Sequence, residues 1–253
     1  MNNHVVVQSC AEPAPPWLSS LMELTRSRAT ECGLGYERIP DAEFLSLAPT
    51  SVSAKVTESI LPVTDIARLL LIDEMHSAGA ERVTWIDADV VHLRPLHHAT
   101  ALEPYPLALT HETWIQELAD GRATVNYRVN NSFTSASRSR AFTHLIEETL
   151  SAADIEVGPL GKCDLGTYLL TRLHQRNAFR LNLHIANLSP LLKRSSEDSP
   201  TTVDMFIRAL PARVDAVNIG SSSVDENSEV GPLDEPITNL LLERLRLVTT
   251  ETR

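Results

Sequence analysis

Two aspartates one residue apart, Asp87 and Asp89, follow the apolar run Val83-Thr84-Trp85-Ile86. Carboxylates are costly to bury unpaired, so a strand that runs into two of them calls for a positive partner. No Lys or Arg occurs between residues 83 and 93 to provide it. If the chain stays extended past Ile86, alternation turns both carboxylates to the same side. Oxygen donors converging on one point suit a hard cation, magnesium or manganese. An Asp-x-Asp pattern is short enough to arise by chance, so a polar strand end whose aspartates cap the next turn is the competing reading.

Asp65 and Arg68 supply context some twenty residues upstream. They lie in TDIARLLLIDEMHSAG at 64–79, the clearest helical segment of the chain. Pro62 stands just before it, Thr64 is placed to cap its free amides, and Gly79 is placed to end it. Three apart, Asp65 and Arg68 project from neighbouring positions on the first turn. The order is then helix, short turn, strand, Asp-x-Asp. In open α/β sheets the carboxyl edge of the strands is where ligands bind.

The other elements are read by the same periodicities. HVVVQS at 4–9 suits a buried strand; after the proline-rich turn AEPAPP, a helical pattern runs through Thr30. Short strands are expected at Tyr36–Ile39, Arg82–Ile86, Leu107–Thr110 and 128–135, and Phe179–Leu188 alternates like an edge or hairpin strand. Helices are expected at 138–150, Asp164–Arg176 and 237–248, with a short helix and loop over 41–60. Residues 193–202 and 220–236, rich in Ser, Asp, Glu and Pro, read as loops. Strands alternating with helices imply an α/β fold with a mostly parallel central sheet flanked by helices, Rossmann-like in its layering. With no internal repeat and no long linker, the 253 residues are expected to form a single domain.

Bulk properties restrict the function. A formal charge of −11 argues against a general nucleic-acid binder, which needs a basic face. No apolar stretch is long enough to span a bilayer, and the N-terminus lacks the basic start and apolar core of a signal peptide. The chain therefore reads as soluble and cytoplasmic. Cys10, Cys32 and Cys163 lie far apart without a metal spacing and read as free thiols.

The segment TDIARLLLIDEMHSAGAERVTWIDADV resembles the "sDxxR … DxD" region of nucleotide-sugar-dependent glycosyltransferases of the GT-A fold, families 32 and 8 and the clostridial toxin transferase domains above all. The likeness is good across residues 61–96 and thin elsewhere. It implies that Asp65 and Arg68 face the donor and that Asp87 and Asp89 hold a divalent cation, Mn2+ or Mg2+, against its diphosphate. It also implies a first strand whose end, near Gln8, lies beside the nucleotide. VNNSFTSASRSRAF at 129–142 is similar to the family's Asn-containing strand and helix, which places Asn130 or Asn131 near the sugar hydroxyls. VGPLGKCDLGTYLL at 157–170 looks like the Gly-Pro segment of family 32, with Asp164 facing the donor sugar in a catalytic position. VNIGSSS at 217–223 is similar to the C-terminal metal-ligand segment, which offers Asn218 to the metal and Ser221 to the phosphates. The implied function is transfer of a sugar from a nucleoside diphosphate sugar, a UDP-sugar, to the hydroxyl of an unidentified acceptor with retention of configuration.

Plainer roles stand beside these. Asn130 and Asn131 also suit a turn or a cap, and Asp at a helix start is the commonest cap there is. His92, His97 and His98 fit no helical ligand spacing and read as structural or solvent-exposed. The Ala78-Gly79-Ala80 helix end departs from the Gly-Gly pair of family 32, and no Trp follows Asn218 to close over a donor as in the toxins. The string VTWIDADVV also fits the nucleophile strand of haloacid-dehalogenase phosphatases, although some eighty residues precede it here. A non-catalytic sugar-nucleotide-binding protein is the third possibility.

Overall fold

The computed structural model describes residues 3–156, 158–176, 179–189, 192, 200–220 and 242–245. The chain opens with β1 (His4–Cys10), α1 (Pro16–Glu31) and β2 (Gly35–Pro40). Two short helices, α2 (Asp41–Ser46) and α3 (Thr50–Ser53), lead to the long α4 (Leu61–Ser77) and then to β3 (Arg82–Ile86). β4 (Val90–His92) and α5 (His97–Thr100) precede a long hairpin of β5 (Leu107–Glu117) and β6 (Ala123–Ser137). After α6 (Arg140–Ile155) come an irregular turn at 164–168, α7 (Leu169–His174), β7 (Arg180–Asn182) and β8 (Ile185–Asn187). α8 (Pro200–Ala209) and β9 (Ala216–Asn218) follow, and 242–245 is helical.

The main sheet has the order β2-β1-β3-β6-β5-β7. β1 is parallel to both β2 and β3, β6 is antiparallel to β3 and β5, and β7 is parallel to β5. Five strands thus point one way and β6 alone is reversed, which is the mostly parallel α/β sheet expected. A smaller sheet, β4-β9-β8, lies beside it.

Alternation along the strands divides the apolar side chains between two helical layers. Val7, Trp85, Leu107 and Leu109 face α4, α6 and α7, where Ile66, Ile72, Phe142 and Leu169 complete one core. Their neighbours Val6, Ile86 and Ala108 face the opposite way, onto Ala29 of α1 and Leu96 and Ala99 around α5. A third core joins the small sheet to α8, the hairpin and the 242–245 turn through Ile115, Val217, Phe206, Leu242 and Leu245. No helix among the described residues is long and apolar enough to cross a membrane.

Several expectations need correction. Thr64 does not cap α4: the helix begins a turn earlier, with Pro62 in its first turn, and Thr64 Oγ1 donates to the Leu61 carbonyl (2.9 Å). Proline suits that place because its missing N–H would be unpaired there anyway. Gly79 does end the segment, at φ +109°, a conformation open to glycine. The two strands expected at 107–110 and 128–135 are the inner ends of a hairpin reaching Glu117 and Ala123. Phe179–Leu188 is not one strand: β7 joins the main sheet and β8 the small one, after a turn in which Asn182 Oδ1 accepts from the His184 amide (3.0 Å). Residues 200–202, expected in a loop, begin α8, whose Val203 and Phe206, three apart, are buried. The C-terminal helix and the 220–236 loop lie largely outside the described residues.

Candidate functional site

A cavity of about 380 Å³ opens at the carboxyl end of β3, between the first turns of α4, the β5–β6 hairpin, the 164–168 turn and the ends of β8 and β9. Asp65, Arg68, Asp87, Asp89, Asn130, Asn131 and Asn218 all line it. Seven residues singled out in the sequence, spread over about 150 positions, are thus brought to one place.

The chain does not stay extended past Ile86. The Val90 amide donates to the Asp87 carbonyl (3.2 Å), so a turn, not strand alternation, carries Asp87 and Asp89 into the same cavity. Asp87 already has one positive partner. Arg68 Nη2 lies 3.3 Å from Asp87 Oδ1, and Trp85 Nε1 donates to the same oxygen (2.6 Å). Arg68 itself is 5% exposed; its Nη1 donates to the Asn131 carbonyl (2.6 Å) and its guanidinium carbon is 5.1 Å from the Trp85 ring centre. Its Nε is buried and finds no partner among the described residues.

A local irregularity of β6 makes these contacts possible. The register with β5 jumps between Leu109, opposite Thr134, and Thr110, opposite Asn130. Asn131, Ser132 and Phe133 therefore bulge out of the β5 ladder, as strands do beside active sites to re-aim side chains. The Asn131 carbonyl meets Arg68, the Ser132 carbonyl accepts from the Asp87 amide (2.8 Å), and Asn131 Nδ2 donates to Asp65 Oδ1 (2.8 Å). Asn130 Oδ1 accepts from the Ser132 amide (2.6 Å), which fixes the bulge.

Asp65 is the most constrained of the group. Burial pushes its carboxyl up to about 6, against the opposing pull of Arg68 and the Asn131 hydrogen bond; Asp87 adds a further upward push. Gly166 packs directly on this carboxylate: a β-carbon there would stand 2.6 Å from Asp65 Oδ2. The irregular 164–168 turn, with Gly166 at φ −88° and ψ −111°, is what allows that approach.

Sequence reasoning missed a second wall. Glu112, 2% exposed, accepts from Arg128 Nε (2.8 Å) and Asn130 Nδ2 (3.1 Å), and the Arg128 guanidinium lies 4.3 Å from the Trp114 ring centre. Burial raises the Glu112 pKa, partly offset by Arg128 and Asn130. Lys162 and Asn187 also line the cavity. The available signal was the alternation Thr110, Glu112, Trp114, Gln116, which becomes informative only once β5 is known to run past Thr110.

Other expected residues stand differently. Gln8 is fully buried, donates to the Asp87 carbonyl (3.1 Å) and accepts from the Tyr36 hydroxyl (3.1 Å); it supports the turn and does not line the cavity. Asp164 Oδ2 accepts from the Gly161 amide (2.7 Å), a contact that closes the preceding turn outside the cavity lining. Ser221 lies outside the described residues. His92 is fully buried, and burial pushes its imidazole down to about 4, a structural histidine. A second cavity, of about 280 Å³, is lined by Ser9, Asp41 and Phe44 and shares Leu61, Arg68, Asp87 and Asp89 with the first.

Among the described residues, no cluster of three His, Cys, Asp or Glu gathers as a metal centre. The donor set is smaller and all oxygen: Asp87, Asp89 and the amide of Asn218, whose Oδ1 already accepts from the Gly220 amide (2.8 Å). Two carboxylates fit magnesium or manganese bound partly through substrate phosphates, as such ions commonly are. Four carboxylates and three cations line the cavity, leaving one negative charge in excess.

No protein-family model matches the chain, and no curated protein matches it significantly. Solved structures that resemble it include the following three. A galactosyltransferase, LgtC, in complex with donor and acceptor sugar analogues has a TM-score of 0.51 at 14% identity, over 98% of this chain and 95% of that one. Mouse xyloside xylosyltransferase 1 in its apo form has a TM-score of 0.49 at 10% identity, over 88% and 99%. A glycosyltransferase involved in glycosylation of the major capsid of PBCV-1 has 0.48 at 9% identity, over 94% and 98%. The LgtC superposition carries the fold assignment, and the chain has the GT-A glycosyltransferase fold.

Proposed function

We propose that the protein is a metal-dependent glycosyltransferase that moves a sugar from a nucleoside diphosphate sugar, a UDP-sugar, to an acceptor hydroxyl with retention of configuration. The observation that carries the reading is the pair Asp87 and Asp89 at the carboxyl end of β3, where two cavities meet. A nucleotide in the cavity of Ser9 and Phe44 and its sugar in the larger one would place the diphosphate between them, against both aspartates.

Asp87 Oδ2 and Asp89, with Asn218 alongside, would hold the cation. When bound, it supplies Lewis-acid stabilisation of the departing diphosphate. The excess negative charge of the cavity supports this need, since a diphosphate would otherwise meet like charge. Arg68 fixes Asp87 through Oδ1, and its unpartnered Nε is a donor available to a phosphoryl oxygen after a small side-chain shift. Trp85 holds both groups in place, by ring contact with Arg68 and by its N–H to Asp87. Asp65, held by Asn131 and crowded by Gly166, adds a second carboxylate that interacts electrostatically with Arg68.

The test is a donor panel with manganese, scored by release of free UDP or GDP. Turnover is expected with one donor and should be lost in Asp89→Asn while the far-UV spectrum is kept. Unchanged activity in that variant sinks the assignment, and phosphate release from a generic ester without UDP release favours the phosphatase alternative.

A further inference from the structure

We infer that Asn187 contacts the substrate, its side-chain amide meeting a hydroxyl of the transferred sugar. The assignment to a sugar rests on the donor reading above. Asn187 is 4% exposed, and its Nδ2 is shut from solvent with no partner among the described residues. Its neighbours Ile185, Ala186 and Leu188 are buried and apolar. A leucine of similar size would fill the position without leaving a polar atom unsatisfied, so the amide works against the stability of the empty protein. The residue lines the cavity, which is where a compensating contact can come from.

Register locates that contact. Asn187 pairs with Asn218, and Asn218 with Val90, the residue after Asp89. At about 4.8 Å per strand, Asn187 stands roughly 10 Å across the small sheet from the start of β4, with Asn218 between. On its other side β8 packs against β5, the strand of Glu112 and Trp114. Asn187 shares the cavity with the aspartates assigned to the diphosphate and with the Glu112–Arg128 wall. A substrate group there lies beyond the phosphates. An amide both donates and accepts, as a hydroxyl does, whereas a phosphoryl oxygen only accepts.

The experiment compares wild type with Asn187→Ala and Asn187→Leu in the full chain. Calorimetric titration with manganese would use UDP and whichever of UDP-glucose, UDP-galactose and UDP-N-acetylglucosamine binds the wild type; thermal melts would be run without ligand. Both variants should lose about 3- to 10-fold more affinity for the UDP-sugar than for UDP, the worth of one neutral hydrogen bond. Asn187→Leu should melt about 2–4 °C higher than wild type. Equal losses for UDP and UDP-sugar, or a lower melting temperature in both variants, overturn the Asn187 assignment and leave the donor reading standing. A wild type that binds neither UDP nor any of these sugars overturns the donor reading and the sugar assignment together.

Discussion

Replacing Asp65 by Asn should stabilise the protein and impair it at once. The carboxyl is fully buried, and its pKa rises from the ordinary 3.8 to about 6. One unit is about 1.4 kcal/mol, so folding with the group ionised costs about 3 kcal/mol more than folding with it neutral. The folded state holds this proton more tightly than the unfolded state. The associated stability is therefore complete below about pH 3.8 and is lost as pH rises through about 6. Asn imitates the neutral form at every pH and retains an oxygen for the Asn131 amide. In urea unfolding at pH 7.5, Asp65→Asn should be more stable than wild type by about 3 kcal/mol, and at pH 4 by under about 1 kcal/mol. Donor binding should weaken over the same comparison, because Arg68 loses one of its two balancing carboxylates. A variant that is destabilised equally at both pH values would refute this account, leaving Asp65 as a plain structural partner of Arg68.

Two further changes probe the same walls. Gly166→Ala sets a β-carbon 2.6 Å from Asp65 Oδ2 and should cost about 1–3 kcal/mol in denaturant unfolding; most of that loss should vanish when Asp65 is also Ala, and an additive double variant would place the strain elsewhere. Arg128→Met leaves Glu112 buried without its cation and should cost about 3–5 kcal/mol, with Glu112→Gln in the same chain restoring most of it; a single variant as stable as wild type would mean that the pair contributes nothing to folding.

The sheet was legible because buried strands announce themselves as apolar runs, and α4 because its pattern is long and ends in a glycine. Asp65, Arg68, Asp87 and Asn131 were legible as well, since each sits within a few residues of an element boundary that the sequence marks. What escaped was everything set by pairing between distant segments. β5 and β6 beyond Thr110 and Asn130 are held by one another, with Glu112 opposite Arg128 and Trp114 opposite Asn126, and neither strand reveals its partner locally. Gly166 reads as an awkward helix residue until Asp65, about a hundred positions earlier, is seen against it.

Asp87 and Asp89 are not a matched pair. In the sequence they differ only in position, and both await one cation. Folded, they divide the work: Asp87 commits one oxygen to Arg68 and Trp85, while the Asp89 backbone carbonyl is tied to the small sheet by the Ile219 amide (3.2 Å). One aspartate is therefore fastened to α4 and the main sheet, the other to the sheet that carries Asn218 and Asn187. A relative shift of the two sheets would move the carboxylates apart, and a cation bridging them would oppose that shift. Metal binding at this site should therefore tighten the contact between the sheets as well as serve the donor.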